Sequence, residues 1–113
     1  MVDDEAVWEL SVHRRDRRAR LDLLGELDLD SAPELLAAVV EQLGAGATDV
    51  VLDLTSLQFV DSSGLGTLVG CWRRAQHAGA RLVVANPNDD VAMTLEITGL
   101  DQILPIDRDA AAA

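Results

Sequence analysis

Apolar and polar residues alternate at the start of the chain, and the period then changes. In Val7-Trp8-Glu9-Leu10-Ser11-Val12 the apolar positions lie two apart, the period of a half-buried strand. The alternation returns in Ala19-Arg20-Leu21-Asp22-Leu23-Leu24 after a short polar stretch, which predicts a hairpin. Gly25 to Asp30 reads as a loop rich in carboxylates. Ser31-Ala32-Pro33-Glu34 then has the form of a helix start. Ser31 is expected to cap a free backbone N–H, Glu34 to reach back to the cap, and Pro33 to sit in the first turn, where no N–H is needed. Leu35, Leu36, Val39, Val40 and Leu43 follow at helical spacing, and Gly44 and Gly46 end the run.

Asp49-Val50-Val51-Leu52-Asp53-Leu54 is nearly continuous in apolar residues and extends through Leu57, Phe59 and Val60, as in a central strand of a helix-covered sheet. Leu65, Leu68, Val69, Trp72 and Ala75 mark a second amphipathic helix that ends near Ala78-Gly79, with Trp72 expected on its core side. Arg81 to Ala85 is another strand, broken by Asn86-Pro87-Asn88. Asn88 or Asp89 is positioned to cap a third helix that runs to about Thr98 and stops at Gly99. Ile103 to Ile106 is a candidate edge strand, and Asp107 to Ala113 a frayed or weakly helical tail. The order β-β-α-β-α-β-α, with a further short β, predicts an α/β fold whose mixed sheet has four to five strands: antiparallel in the hairpin, parallel across each strand-helix-strand unit.

With 113 residues there is room for one domain, and burial of about two-thirds of its unfolded surface suffices for one core. The expected boundaries are residues 1–113, with the core at about 7–106. Aromatic residues make up only 3%, so that core is aliphatic. The net charge of −11 disfavours nucleic acid and anionic membranes as partners. Arg14, Arg15, Arg17, Arg18 and Arg20 around Asp16 run against that balance, either as a solvated hairpin tip or as a docking patch for an acidic partner. Met1 to Glu5 has no signal-peptide pattern, and no apolar run approaches the roughly 20 residues of a membrane span, so a cytoplasmic location is expected.

Candidate chemistry concentrates at the end of the central strand. Ser62 and Ser63 follow Asp61, and Gly64, Gly66 and Gly70 fall in the first turns of the second helix, where each glycine costs about 1 kcal/mol relative to alanine. Such a helix start offers an approachable hydroxyl, and its glycines imply that another backbone comes close. A dinucleotide site is the enzyme-like rival, because Gly64-x-Gly66 opens a helix and Asp89 follows about 20–25 residues later, although the third glycine, Gly70, is one position late. A hydrolase lacks Gly-x-Ser-x-Gly and a histidine near Ser62, His77 being expected at the far end of the helix. Glu26, Asp28 and Asp30 resemble a cation site less than they resemble carboxylates placed before a helix N-terminus, so neither a catalytic residue nor a metal or other cofactor is expected.

Leu52 to Gly66, with its core Asp61-Ser62-Ser63-Gly64-Leu65-Gly66, resembles the signature of bacterial anti-sigma factor antagonists, which are STAS domains. Gly25-Glu26-Leu27-Asp28 with the Ser31 helix start resembles the family's other marker, and Ile97-Thr98-Gly99-Leu100 its motif after the third helix. The resemblance implies a STAS-like domain with helices mainly on one face of the sheet. It implies binding to an anti-sigma factor that is also a serine kinase of ATPase fold, with release of a sigma factor. It further implies that Ser62 is phosphorylated, and that a PP2C-type phosphatase reverses the modification. Asp61, Ser63, Gly64, Leu65, Gly66, Glu26, Asp28 and Ser31 are then the expected partner-binding residues. A STAS subunit of a transporter or signalling scaffold is the alternative within the family. Cys71 and Trp72, on the helix after the site, would tune the contact face, and the tail has length for at most a stub of the family's C-terminal helix.

Overall fold

A computed structural model describes residues 7–110; the readings of Met1–Glu5 and of Ala111–Ala113 lie outside the described residues. Strands β1 (Trp8–Arg15) and β2 (Arg18–Leu27) form the antiparallel hairpin. Helix α1 (Ala32–Gly44), β3 (Asp49–Val60), α2 (Ser62–His77), β4 (Arg81–Ala85), α3 (Asp89–Ile97), a single 3-10 turn (Leu100–Gln102) and β5 (Ile106–Asp107) follow. The five strands lie side by side in chain order, and every pair after the hairpin is parallel.

Alternation decides which residues face inward. Ala19, Leu21, Leu23 and Leu27 of β2 are buried, while Arg20 and Asp22 on the opposite face stay partly exposed. Leu35 and Val39 of α1, Leu68 and Cys71 of α2, and Val91 and Leu95 of α3 join the same aliphatic cluster, so the helices pack on one sheet face. Trp72 is half-buried against that cluster, on the core side that its spacing predicted.

In β3 the period of two fails. Ten residues of β2 lie beside twelve of β3, and the excess is absorbed where the register jumps between Asp22 and Leu24 and between Gly25 and Glu26. Consequently Leu54, Leu57 and Val60, three apart, all point into the core. Phe59 is left 49% exposed at the strand's end.

Gly25 to Leu27 is strand, not loop. Extended pairing carries β2 on to Leu27, and Glu26 N–H also bonds the Val7 carbonyl at 3.2 Å. Gly25 has φ +104°, and a Cβ there would lie 1.7 Å from the Val7 carbonyl oxygen, so no other residue fits. The tail also departs from a helical stub. Ile106 and Asp107 pair with Val84 and Ala85, and Asn86 Nδ2 donates to the Ala110 carbonyl at 3.1 Å.

Candidate functional site at the β3–α2 junction

Asp61 stands between strand and helix in extended conformation, and its carboxylate accepts a 2.9 Å hydrogen bond from Gly64 N–H. The cap of α2 is therefore the aspartate, and neither serine is consumed in that role. Ser62 is the first helical residue and is exposed; its hydroxyl has no partner among the described residues. Ser63 and Leu65 are partly buried, and Gly66 is exposed.

The end of β2 lies directly alongside. Leu27 pairs with Val60, and Asp61 N–H bonds the Leu27 carbonyl at 3.2 Å. A Cβ on Gly64 would sit 2.4 Å from that same oxygen, so this glycine allows the helix start to press against the strand end. The close backbone predicted from the glycines is thus the chain's own at Gly64. A Cβ on Gly66 or Gly70 would meet nothing within 4 Å, so these two leave the first turns of α2 bare.

The Asp28–Ser31 turn continues from Leu27, the strand end against which α2 starts. Within this turn the expected capping box does not form: Ser31 is helical in backbone and makes no side-chain cap, and Glu34 Oε1 instead accepts from Trp8 Nε1 at 3.1 Å. The Ser31 side chain turns back. Its hydroxyl donates to the Glu26 carbonyl at 2.8 Å and accepts from Asp28 N–H at 2.9 Å. Asp28 Oδ1 in turn accepts from Ser31 N–H at 3.1 Å and Asp30 N–H at 3.0 Å. The backbone hydrogen bond from Ser31, the largest of these effects, holds the Asp28 carboxyl below its ordinary value of 3.8. Ser31 is buried, so it shapes the site from beneath and offers a partner no surface.

Two apolar side chains in this neighbourhood escaped the sequence reading. Leu29, in the turn after β2, is 72% exposed, and Phe59 of β3 is exposed beside its paired residue Glu26. Both lie near the paired ends of β2 and β3, close in the chain to Glu26, Asp28, Asp30 and Asp61. In Leu29 the only available signal was a leucine between two aspartates. Phe59 was hidden by the register jump.

Cys71 does not belong to this face. It is fully buried, and desolvation pushes its thiol up to about 12. Nor does the junction match a dinucleotide loop: α2 begins immediately after Asp61, and a carboxylate already occupies the N–H where a pyrophosphate would bind. His77 ends the 16-residue helix, roughly 22 Å from Ser62 by helical rise. Among the described residues no three His, Cys, Asp or Glu side chains come together to hold a metal ion, and no helix is long and apolar enough to cross a membrane.

Comparison with known proteins agrees with this geometry. The anti-sigma-B factor antagonist of Bacillus subtilis is 30% identical over 97 residues, covering 86% of this chain and 88% of that protein. The anti-sigma F factor antagonist of Paenibacillus polymyxa is 33% identical over 99 residues, covering 87% and 83%. Among solved structures, the anti-sigma factor antagonist SpoIIAA in its unphosphorylated form superposes with a TM-score of 0.71 at 24% identity, over 93% of this chain and 90% of that one, which establishes a shared fold. The STAS domain family model matches residues 9–113. Matched by that family model over nearly its whole length, the chain belongs to the STAS domain family.

Proposed function

We propose that this chain is an anti-sigma factor antagonist that binds through the β3–α2 junction and is switched off by phosphorylation of Ser62. In its unmodified form it would engage an anti-sigma factor that is also a serine kinase of ATPase fold, so releasing a sigma factor in the cytoplasm. A PP2C-type phosphatase would restore the hydroxyl. The carrying observation is the exposed, unpartnered Ser62 hydroxyl beside a carboxylate that has taken over the capping. The names of the relatives in Bacillus subtilis and Paenibacillus polymyxa support the same reading.

The physical basis is charge. A phosphoserine adds about −1.5 to −2 charges, and here it would stand next to Asp61, near Glu26 and Asp28, on a chain of net charge −11. The N-terminus of α2 offsets only about 0.3–1 kcal/mol of that repulsion. An uncompensated charge forced into an interface costs about 3–5 kcal/mol, which corresponds to roughly two to three and a half decades in affinity. No change of fold is required. Ser63, Leu65, Gly66, Glu26 and Asp28 would frame the contact, and Leu29 and Phe59 would supply its apolar centre.

The test is to incubate the protein with an anti-sigma factor kinase encoded in the same genome and ATP, map the phosphate by mass spectrometry, and measure affinity by calorimetry. Phosphate at Ser62, with a Ser62→Asp variant bound at least about a hundredfold more weakly than wild type, is the expected result. Modification elsewhere, or undiminished binding of Ser62→Asp, would refute the proposal.

A further inference from the structure

The cations of this acidic chain gather at the end of the molecule away from Ser62. Its nine basic residues are all arginines, and five of them lie between Arg14 and Arg20. At the hairpin tip these five, with His13 and Asp16, line an open concavity of about 650 Å3 that Thr48 and Asp49 border at the start of β3. Ser62 follows the opposite end of that strand, roughly 35 Å away at the rise of an extended chain.

Part of the concavity's wall is tied down. Arg14 donates to Asp16 O at 2.7 Å, Gln42 Oε1 at 3.0 Å and Ala45 O at 3.1 Å, which ties the tip to the end of α1. The Arg17 carbonyl accepts from Thr48 N–H at 2.8 Å and Asp49 N–H at 3.2 Å, tying it to β3. Arg20 is engaged with Asp22 at 3.0 Å. Arg15, Arg17 and Arg18 differ: their guanidinium groups have no partner among the described residues, although the chain carries 20 acidic residues.

Five arginines line the hollow against Asp16 and Asp49, and with Arg20 offset by Asp22 a net of two positive charges remains around it. Concave positive surface of this kind concentrates anions. Planar guanidinium forks match phosphate oxygens two at a time, and the volume falls in the range of about 300–1,000 Å3 typical of small-molecule sites. His13 also lines the hollow but is engaged with Asp22 at 3.1 Å, and no Phe, Trp or Tyr lies among the lining residues to stack a base, so recognition rests on the phosphates. A hollow of this size holds a compact anion whole, whereas an extended acidic peptide would leave most of its charges outside it. We propose that this concavity binds a small molecule bearing several phosphates, held by Arg15, Arg17 and Arg18.

Isothermal calorimetry of the full chain with inorganic tripolyphosphate, at about 0.15 M salt, tests the assignment. Saturable, equimolar binding is expected, with amide shifts confined to the hairpin tip and Thr48–Asp49. Arg17→Ala with Arg18→Ala should weaken it by at least about tenfold, and the paired lysine substitutions should fall between, because they keep charge but lose the fork. Both arginines are exposed, so the variants should melt as wild type does. Ser62→Ala should bind tripolyphosphate unchanged, which separates this site from the proposed switch. Absence of saturation, indifference to the arginine substitutions, or arginine-dependent capture of a poly-glutamate peptide in preference to tripolyphosphate would overturn it.

Discussion

Ser31 and Ser62 stand at two helix starts, and their hydroxyls have opposite fates. Ser31 makes no cap, is buried, and spends its hydroxyl on Glu26 and Asp28. Ser62 is exposed with its hydroxyl unspent, because the residue before it, Asp61, already satisfies the Gly64 N–H. The availability of a hydroxyl is therefore decided by its neighbours' hydrogen bonds. One serine builds the platform, and the other is presented on it. Both sit within reach of the same strand end, Leu27, whose carbonyl accepts from Asp61 and abuts Gly64.

This contrast is breakable at four points. Gly64→Ala should do most damage, since its Cβ would overlap the Leu27 carbonyl and neither backbone can yield without separating α2 from β2. We expect a loss of about 2–4 kcal/mol in chemical denaturation, with partner binding lost as well. Ser31→Ala comes next. Removal of a buried hydroxyl strands the Glu26 carbonyl and the Asp28 N–H, for about 1–3 kcal/mol and a clear fall in Tm by calorimetry.

The Ser31 variant also has a pH signature. The depressed Asp28 pKa means that this carboxylate contributes stability above its ordinary 3.8, and that the contribution is lost as pH falls through the lower folded value. If Ser31→Ala loosens the turn, the Asp28 pKa measured by NMR should move back up toward 3.8. An unmoved value would show that the Ser31 backbone bond alone sustains the shift.

Asp61→Ala should cost about 0.5–2 kcal/mol through loss of the cap, and should free Ser62 to turn inward toward the vacant N–H. That variant sharpens the comparison, because phosphorylation of Ser62 should slow even where folding is largely retained. Ser62→Ala should change stability least, by no more than about 0.5 kcal/mol in a thermal melt. A larger effect would mean that its hydroxyl is structural after all, and the two serines would no longer differ in kind.

Much of this was legible in the residues. The strand periods of Trp8–Val12 and Ala19–Leu23, the helical stripe Leu65–Ala75 and the Asn88 start of α3 are local signals, and each appears where the pattern put it. The motif Asp61 to Gly66 was legible for the same reason, since a strand end, a capping acid and a bare first turn are properties of consecutive residues. The identity of the cap was less so, because Ser31 with Glu34 and Asp61 with Ser62 are equally plausible starts when read alone.

What the sequence by itself determined is the order and type of the elements, the aliphatic core and the place where a hydroxyl meets a helix start, because all of these depend on side-chain period and local backbone chemistry. Only the tertiary structure decided that Ser31 would be buried and Ser62 bare, that Phe59 and Leu29 would be left exposed, and that the arginines would line a hollow with Thr48 and Asp49. These outcomes depend on strand register and on contacts between residues far apart in the chain, such as Leu27 with Gly64 and Arg17 with Thr48. A one-residue register jump between paired strands, which occurs twice here, is enough to turn a side chain from core to surface, and no local pattern encodes it.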